Sequence, residues 1–270
     1  MKTTYHHSAA RRAFSRIDAL TTCGALTLLG GLLLPALANT QVQGRSALCA
    51  GNLNRLQRAW TQFATDNEGL LPNAGGSSSV KWVSGLMELT RANDNTNTLY
   101  LLDPRYAQLG PYTADARLYR CPADPSQVPM GPLVDGVRTS IPRVRSYSIS
   151  GAMAGDSIWV SPSHFTFTRI HDIVNPAPSE ALVFLDEHPG SINDGHFAIQ
   201  VPNTGRLVDM PGSHHDRAGT VSFADGHTEL HAWQDNRTMP AFNGGYIVLN
   251  IASPGNPDAA WLSAHASSRR

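Results

Sequence analysis

From Ala19 to Gly44 the sequence carries no charged residue, and within that stretch Leu20 to Ala38 reads LTTCGALTLLGGLLLPALA. No other feature restricts the fold as much. A hydrocarbon core is crossed by a helix of roughly 20 apolar residues, and the 19 residues from Leu20 to Ala38 come close to that length. Lys2, Arg11, Arg12 and Arg16 stand ahead of the run. Positive charge is retained on the cytoplasmic side, so the expected topology is a single membrane pass with a cytoplasmic N-terminus and everything beyond Ala38 exported. A helix buried in a protein core is the alternative, and the length, the lack of charge and the basic flank weigh against it.

The charge balance narrows the partners. Lys plus Arg and Asp plus Glu are 21 each, so the chain is formally neutral and has no electrostatic footprint for nucleic acid. Glycine (23) and proline (18) favour turns and short strands over a helical bundle. Of the three cysteines, Cys23 lies in the apolar run, whereas Cys49 and Cys121 follow it. An exported head leaves a Cys49–Cys121 disulfide open. Two free thiols stay equally open, because spacing alone does not place their Cβ atoms.

Cys49, Leu53, Leu56, Trp60 and Phe63 recur at steps of four and three, which predicts an amphipathic helix over Arg45 to Asn67 with a stop at Gly69 and Pro72. Joined to the apolar run, it gives an N-terminal helix over 14–67 behind a basic leader, 1–13. Asn73 to Pro142 reads as a loop-rich insertion with helical pieces at Lys81–Thr90 and Asp115–Tyr119. Strands are expected at Arg145–Ser150, Ala181–Asp186, His196–Val201, Thr220–Ala224 and Thr228–Trp233. The fold class is therefore α+β: a long N-terminal (trans)membrane helix packed on an antiparallel β-sheet, with a head over 68–262 and a tail, 263–270; Ser253 to Arg270 reads as loop with one short turn near Trp261.

Three groups of side chains are candidates for chemistry. Ala224-Asp225-Gly226-His227 is a hairpin signal of the two-residue type, in which both central residues take positive φ. His215 is placed near that turn as a structural hydrogen-bonding residue. His227, Glu229 and His231 share one face of a strand, which could join a metal site but reads rather as a polar solvent-facing surface with Leu230 on the core side. Asp186, Glu187 and Asp194 gather in one loop, and an oxygen-rich loop of this kind can hold calcium, although the spacing is not that of an EF-hand. There is no G-x-S-x-G elbow, no Walker loop and no G-x-G-x-x-G. No enzymatic activity and no obligatory cofactor are expected.

Ala13-Phe14-Ser15-Arg16-Ile17-Asp18 ahead of the apolar run resembles the processing site of type IV pilins and pseudopilins. Ala13 takes the place of the small residue before the cut, Phe14 that of the new N-terminus and Asp18 that of the acid fifth in the mature chain. Cys49 followed by Asn52-Leu53-Asn54-Arg55-Leu56-Gln57, then Asp66-Asn67-Glu68-Gly69 and Leu71-Pro72, is similar to the helix end of a large bacterial pseudopilin group. His215, nine intervening residues, Asp225 and Gly226 match the H-x(9)-D-G signature of its prepilin-type processing-associated domain. The resemblance implies a pilin-like subunit of a type II secretion or type IV pilus-like assembly, held in the inner membrane with a periplasmic head. Its partners would be prepilin peptidase and other pilin-like subunits. A second reading stays open: Arg11-Arg12 and Ala36-Leu37-Ala38 suit an ordinary export signal cleaved near Ala38, which would release a soluble periplasmic binding protein or hydrolase.

Overall fold

The computed structural model describes residues 16–75, 80–155 and 158–270; ahead of Val42 it describes the side chains of 19–24 and 27. The chain divides into two units, Met1–Val42 and Gln43–Arg270. Helix α1 (Arg16–Asp66) begins in the first and ends in the second. In the first unit the described side chains are all exposed, and the Thr27 hydroxyl turns back to the Cys23 carbonyl at 2.8 Å.

Among the described residues no helix is long and apolar enough to cross a membrane. The expected transmembrane helix is corrected by this finding, and with it the single-pass inner-membrane placement that rested on it, N-terminus cytoplasmic and head periplasmic. Ahead of Val42 the described side chains, 19–24 and 27, include Thr21, Thr22, Gly24 and Thr27, a stretch too short and too mixed in polarity to reach across a hydrocarbon core.

In the second unit the periodic stripe of α1 is the spine of the core. Cys49, Leu53, Leu56 and Trp60 are fully buried, Ala64 completes the row and Phe63 is covered in part. The helix stops where Glu68 and Gly69 turn left-handed (φ 54° and 82°). The Gly69 N–H then reaches back to the Ala64 carbonyl at 2.8 Å, a Schellman closure.

The insertion holds short helices α2 (Leu99–Leu102) and α3 (Gly110–Thr113), and ribbons formed by β1 (Gln127–Val128) with β4 (Ile141–Pro142) and by β2 (Leu133–Val134) with β3 (Val137–Arg138). Lys81–Thr90 is not helical. Its backbone pairs across the insertion instead, with Gln108 and Leu109 donating to the carbonyls of Lys81 and Trp82, while Trp82, Val83 and Met87 are buried. Asp115–Tyr119 becomes a 3-10 turn, Ala116–Tyr119, capped by the Asp115 carboxylate.

Beyond the insertion come β5 (Tyr147–Ser150), β6 (Leu182–Asp186), β7 (His196–Phe197), β8 (Arg206–Leu207), β9 (Ala218–Phe223), β10 (Thr228–Ala232), β11 (Ile251–Ala252) and α4 (Pro257–Ala266). Five strands make one sheet in the order β10-β9-β6-β5-β7, and β8 pairs with β11. The sheet is mixed rather than antiparallel as expected, because β7 runs parallel to β5. The tail is likewise more ordered than expected. Asn256 accepts the N–H groups of Asp258 and Ala259, Pro257 starts the first turn, and α4 continues for ten residues.

The two faces of the sheet serve two cores. Tyr147, Ile149, Val183 and Phe184 pack with the α1 stripe, whereas Leu182, Leu185, Val221 and Phe223 pack with Ala259, Leu262 and Ala266 of α4. Strict alternation would send Val183 and Phe184 to opposite faces. A register shift between Leu182 and Leu185 puts both on the α1 side. The phase after the bulge then turns Leu185 to α4 and Asp186 to α1.

Candidate functional site

Four chemically reactive side chains meet between α1 and the sheet. Cys49 comes from the buried stripe of α1, Cys121 from the segment after the 3-10 turn, Asp186 from the end of β6, and His215 from the turn into β9. One donor atom of each lies within 4.8 Å of all the others. Cys121 Sγ is 3.2 Å from His215 Nε2, Asp186 Oδ2 is 3.6 Å from the same nitrogen, and Cys49 Sγ is 3.6 Å from Asp186 Oδ2. Cys49, Cys121 and Asp186 are fully buried and His215 is 4% exposed. Both cysteines are free thiols.

The surroundings fix each group. His215 Nδ1 lies 3.0 Å from Ser46 Oγ, the Thr220 hydroxyl donates to Cys49 Sγ at 3.2 Å, the Tyr147 hydroxyl lies 3.0 Å from the same sulfur, and the Ala123 N–H donates to Cys121 Sγ at 3.4 Å. Asp186 Oδ1 is buried without a hydrogen-bond partner. Burial pushes the Cys49 thiol up, but hydrogen bonding to Cys121 and His215 outweighs it and holds the group below its ordinary value. Burial raises Cys121, and Cys49 and Asp186 raise it further. His215 is lowered by burial, yet hydrogen bonds to Asp186 and Cys49 carry it up to about 9. Cys49 and His215 are thus shifted toward their charged forms and Cys121 toward its neutral one.

The backbone that delivers His215 is strained. Asp216 and Arg217 have φ of 54° and 66°, and His215 and Ala218 exchange both N–H···O=C bonds across them, at 3.2 and 3.3 Å. This is a two-residue turn with both central residues left-handed, each at roughly 1–2 kcal/mol for a residue with a Cβ. The turn expected at Asp225-Gly226 is therefore found one strand earlier.

At Asp225-Gly226 the chain makes a three-residue turn instead. Gly226 N–H bonds the Phe223 carbonyl and Phe223 N–H the His227 carbonyl, both at 3.0 Å. Gly226 takes φ +102°, and Asp225 Oδ1 accepts from the His227 backbone and faces its ring. His215 sits at the opposite end of β9 from this turn, not beside it. Gly226→Val is expected to cost about 1–3 kcal/mol of stability through the positive φ. Asp225→Ala costs less, since only hydrogen bonds in a solvent-exposed turn are lost. Urea midpoints of the two variants give the order.

The loop candidates for calcium separate. Asp186 faces α1. Glu187, the next residue, points away and accepts from Ser148 and Ser191 at 2.5 and 2.7 Å. Asp194 Oδ1 accepts the His196 N–H. Among the described residues the three do not make a ligand group. On the face of His227, Glu229 and His231, the His231 ring stacks on Trp261 of α4 at 3.8 Å and Trp261 on His265 at 4.1 Å, whereas His227 and Glu229 stay exposed as expected. Leu230, expected on the core side, is 46% exposed. Ala13 and Phe14 lie outside the described residues; Asp18 lies in α1, with its side chain outside the description.

The cluster does not have the layout of a thiol nucleophile. In such a site the acid holds one imidazole nitrogen and the other takes the thiol proton. Here Cys121 and Asp186 approach the same nitrogen, and both sulfurs belong to fully buried residues. An open groove of about 530 Å³ nearby is lined by Asn52, Arg55, Asp115, Arg117 and Arg120 and carries no nucleophile. No protein-family model, curated protein or solved structure matches the chain.

Proposed function

We propose that the chain is a structural, non-catalytic subunit of a pilin-like assembly. Other pilin-like subunits are its partners, and a prepilin peptidase trims it ahead of Phe14. One observation carries this reading: residues 19–24 and 27, at the start of an uncharged stretch of α1, are all exposed, Leu20 at 73%. Apolar helix surface gains about 25 cal/mol per Å² when it leaves water, and like helices packed side by side cover one another. The sealed site between α1 and the sheet fits a tie within the head better than a reaction centre.

Cys23 is exposed and free, whereas Cys49 and Cys121 are buried. Mild oxidation of the full chain is expected to yield disulfide-linked dimers that disappear in Cys23→Ser. Asp18→Ala is expected to lower their yield, because the resemblance implies that this acid pairs with a neighbouring subunit. A chain that stays monomeric by light scattering over its whole accessible concentration range, with no Cys23 cross-link, would sink the assembly reading.

A further inference from the structure

We propose that Cys49, Cys121, Asp186 and His215 bind one zinc ion in closed tetrahedral coordination, tying α1 to the sheet. The inference does not depend on the subunit reading. Zinc sits about 2.3 Å from thiolate sulfur and about 2.0–2.2 Å from imidazole nitrogen or carboxylate oxygen, which places tetrahedral donors roughly 3.3–3.8 Å apart. Three of the six donor separations are 3.2, 3.6 and 3.6 Å, and all six lie within 4.8 Å. Four donors from four parts of the chain thus stand close enough for one ion to draw them into coordination.

The second observation is Asp186. Its Oδ1 is buried with no hydrogen-bond partner, and a buried carboxylate oxygen without one costs several kcal/mol unless a cation or donor meets it. The only basic side chain of the cluster, His215, reaches Oδ2 at 3.6 Å. A divalent cation at the centre of the four groups offsets the carboxylate and both sulfurs together.

The outer contacts favour metal binding as well. Metal-bound histidines present one ring nitrogen to the ion and anchor the other on a hydrogen-bond partner. Ser46 Oγ, 3.0 Å from Nδ1, supplies that anchor and leaves Nε2 for the metal. The Thr220 hydroxyl and the Ala123 N–H donate to the two sulfurs, as thiolates require. Two thiolates select a soft or borderline ion over calcium or magnesium, and a mixed sulfur, nitrogen and oxygen set of four favours zinc over an iron–sulfur cluster held by cysteines alone. With four protein donors no position is left for water, so the ion is structural. On binding, Cys49, Cys121 and His215 Nε2 release the protons they hold to solvent, two Zn–S bonds, one Zn–N and one Zn–O bond form, and no electron moves.

The test uses the full chain, reduced and stripped of metal with a chelator, and cobalt(II) as the probe. One equivalent should bind, giving a thiolate-to-cobalt charge-transfer band in the near ultraviolet and the visible bands of tetrahedral cobalt, and zinc should displace it. Ser46→Ala, which leaves all four donors in place, should weaken cobalt binding roughly 10–100-fold. Cys23→Ser should leave stoichiometry and spectrum unchanged. Substoichiometric uptake by folded wild-type chain overturns the proposal, as does cobalt bound without a charge-transfer band. So does a Cys49–Cys121 disulfide recovered by mass spectrometry from chain prepared with zinc present. Unaltered affinity in Ser46→Ala overturns the four-ligand assignment.

Discussion

Trp82→Ala should destabilise the folded chain by about 3–5 kcal/mol, the range for removing a fully buried large aromatic. Trp82 is 0% exposed. Its ring lies between Tyr119, stacked at 6.1 Å, and Phe184, tilted at 5.1 Å. Its indole N–H donates to the Gly195 carbonyl at 2.8 Å, and Gly195 lies so close that a Cβ there would come within 2.6 Å of the indole nitrogen. Truncation therefore opens a cavity against closely packed backbone and orphans a buried carbonyl in one step. Trp82→Phe keeps most of the volume and loses the donor, so it should fall between the two. Urea midpoints at constant m-value measure both. A loss below ~1 kcal/mol for Trp82→Ala would mean that the insertion is not built into the core through this residue.

Arg145→Met is expected to cost about 3–5 kcal/mol, as when one member of a buried charge network is removed. Arg145 is fully buried, and its guanidinium donates to the carbonyls of Tyr147, Asp194 and Gly85 at 3.1, 2.7 and 3.4 Å. Burial draws it down to about 10, against the pull of Glu187 and Asp194. Glu187, itself sealed, is raised well above its usual range, by burial first and then by Asp209. Without the guanidinium that carboxyl is pushed further toward its protonated form. Adding Glu187→Gln to Arg145→Met should recover part of the loss, and the double-mutant cycle gives the coupling. Strict additivity of the two substitutions would show that they do not act as a pair.

How much of this was legible in the sequence varies with range. The α1 stripe was readable because Cys49, Leu53, Leu56 and Trp60 report a period set by one helix and one flat partner. Strands β6, β9 and β10 fell close to the expected ranges, since each is a β-branched or aromatic run bounded by turns. The Lys81–Thr90 segment misled because Trp82, Val83 and Met87 have helix-like spacing yet are buried along a non-helical segment, with Trp82 packed on Tyr119 and Phe184 and the Met87 N–H bonded to the Asn193 carbonyl. Helix α4 was missed although Asn256-Pro257, a cap followed by a first-turn proline, signals a helix start. Cys49, Cys121, Asp186 and His215 were each singled out, but not as a group. Cys49 and Asp186 are 137 positions apart, and Cys121 and His215 are 94. No local period carries that information, and the phase of Asp186 depends on a bulge that alternation alone does not show.

The polar grip of the sheet and its loops on α1 also has a mechanical consequence. Asn52 holds the Arg117 and Arg120 carbonyls, Asn54 the Gly226 carbonyl, Gln57 the Ser222 hydroxyl, and Cys49 the Thr220 hydroxyl. These attachments are spread over more than two turns of helix. A tensile force along α1 would load them together, in shear, rather than peel them away one after another. Rupture under such a pull would be abrupt and at high force, and a chain built this way would carry strain along its helix without surrendering the head.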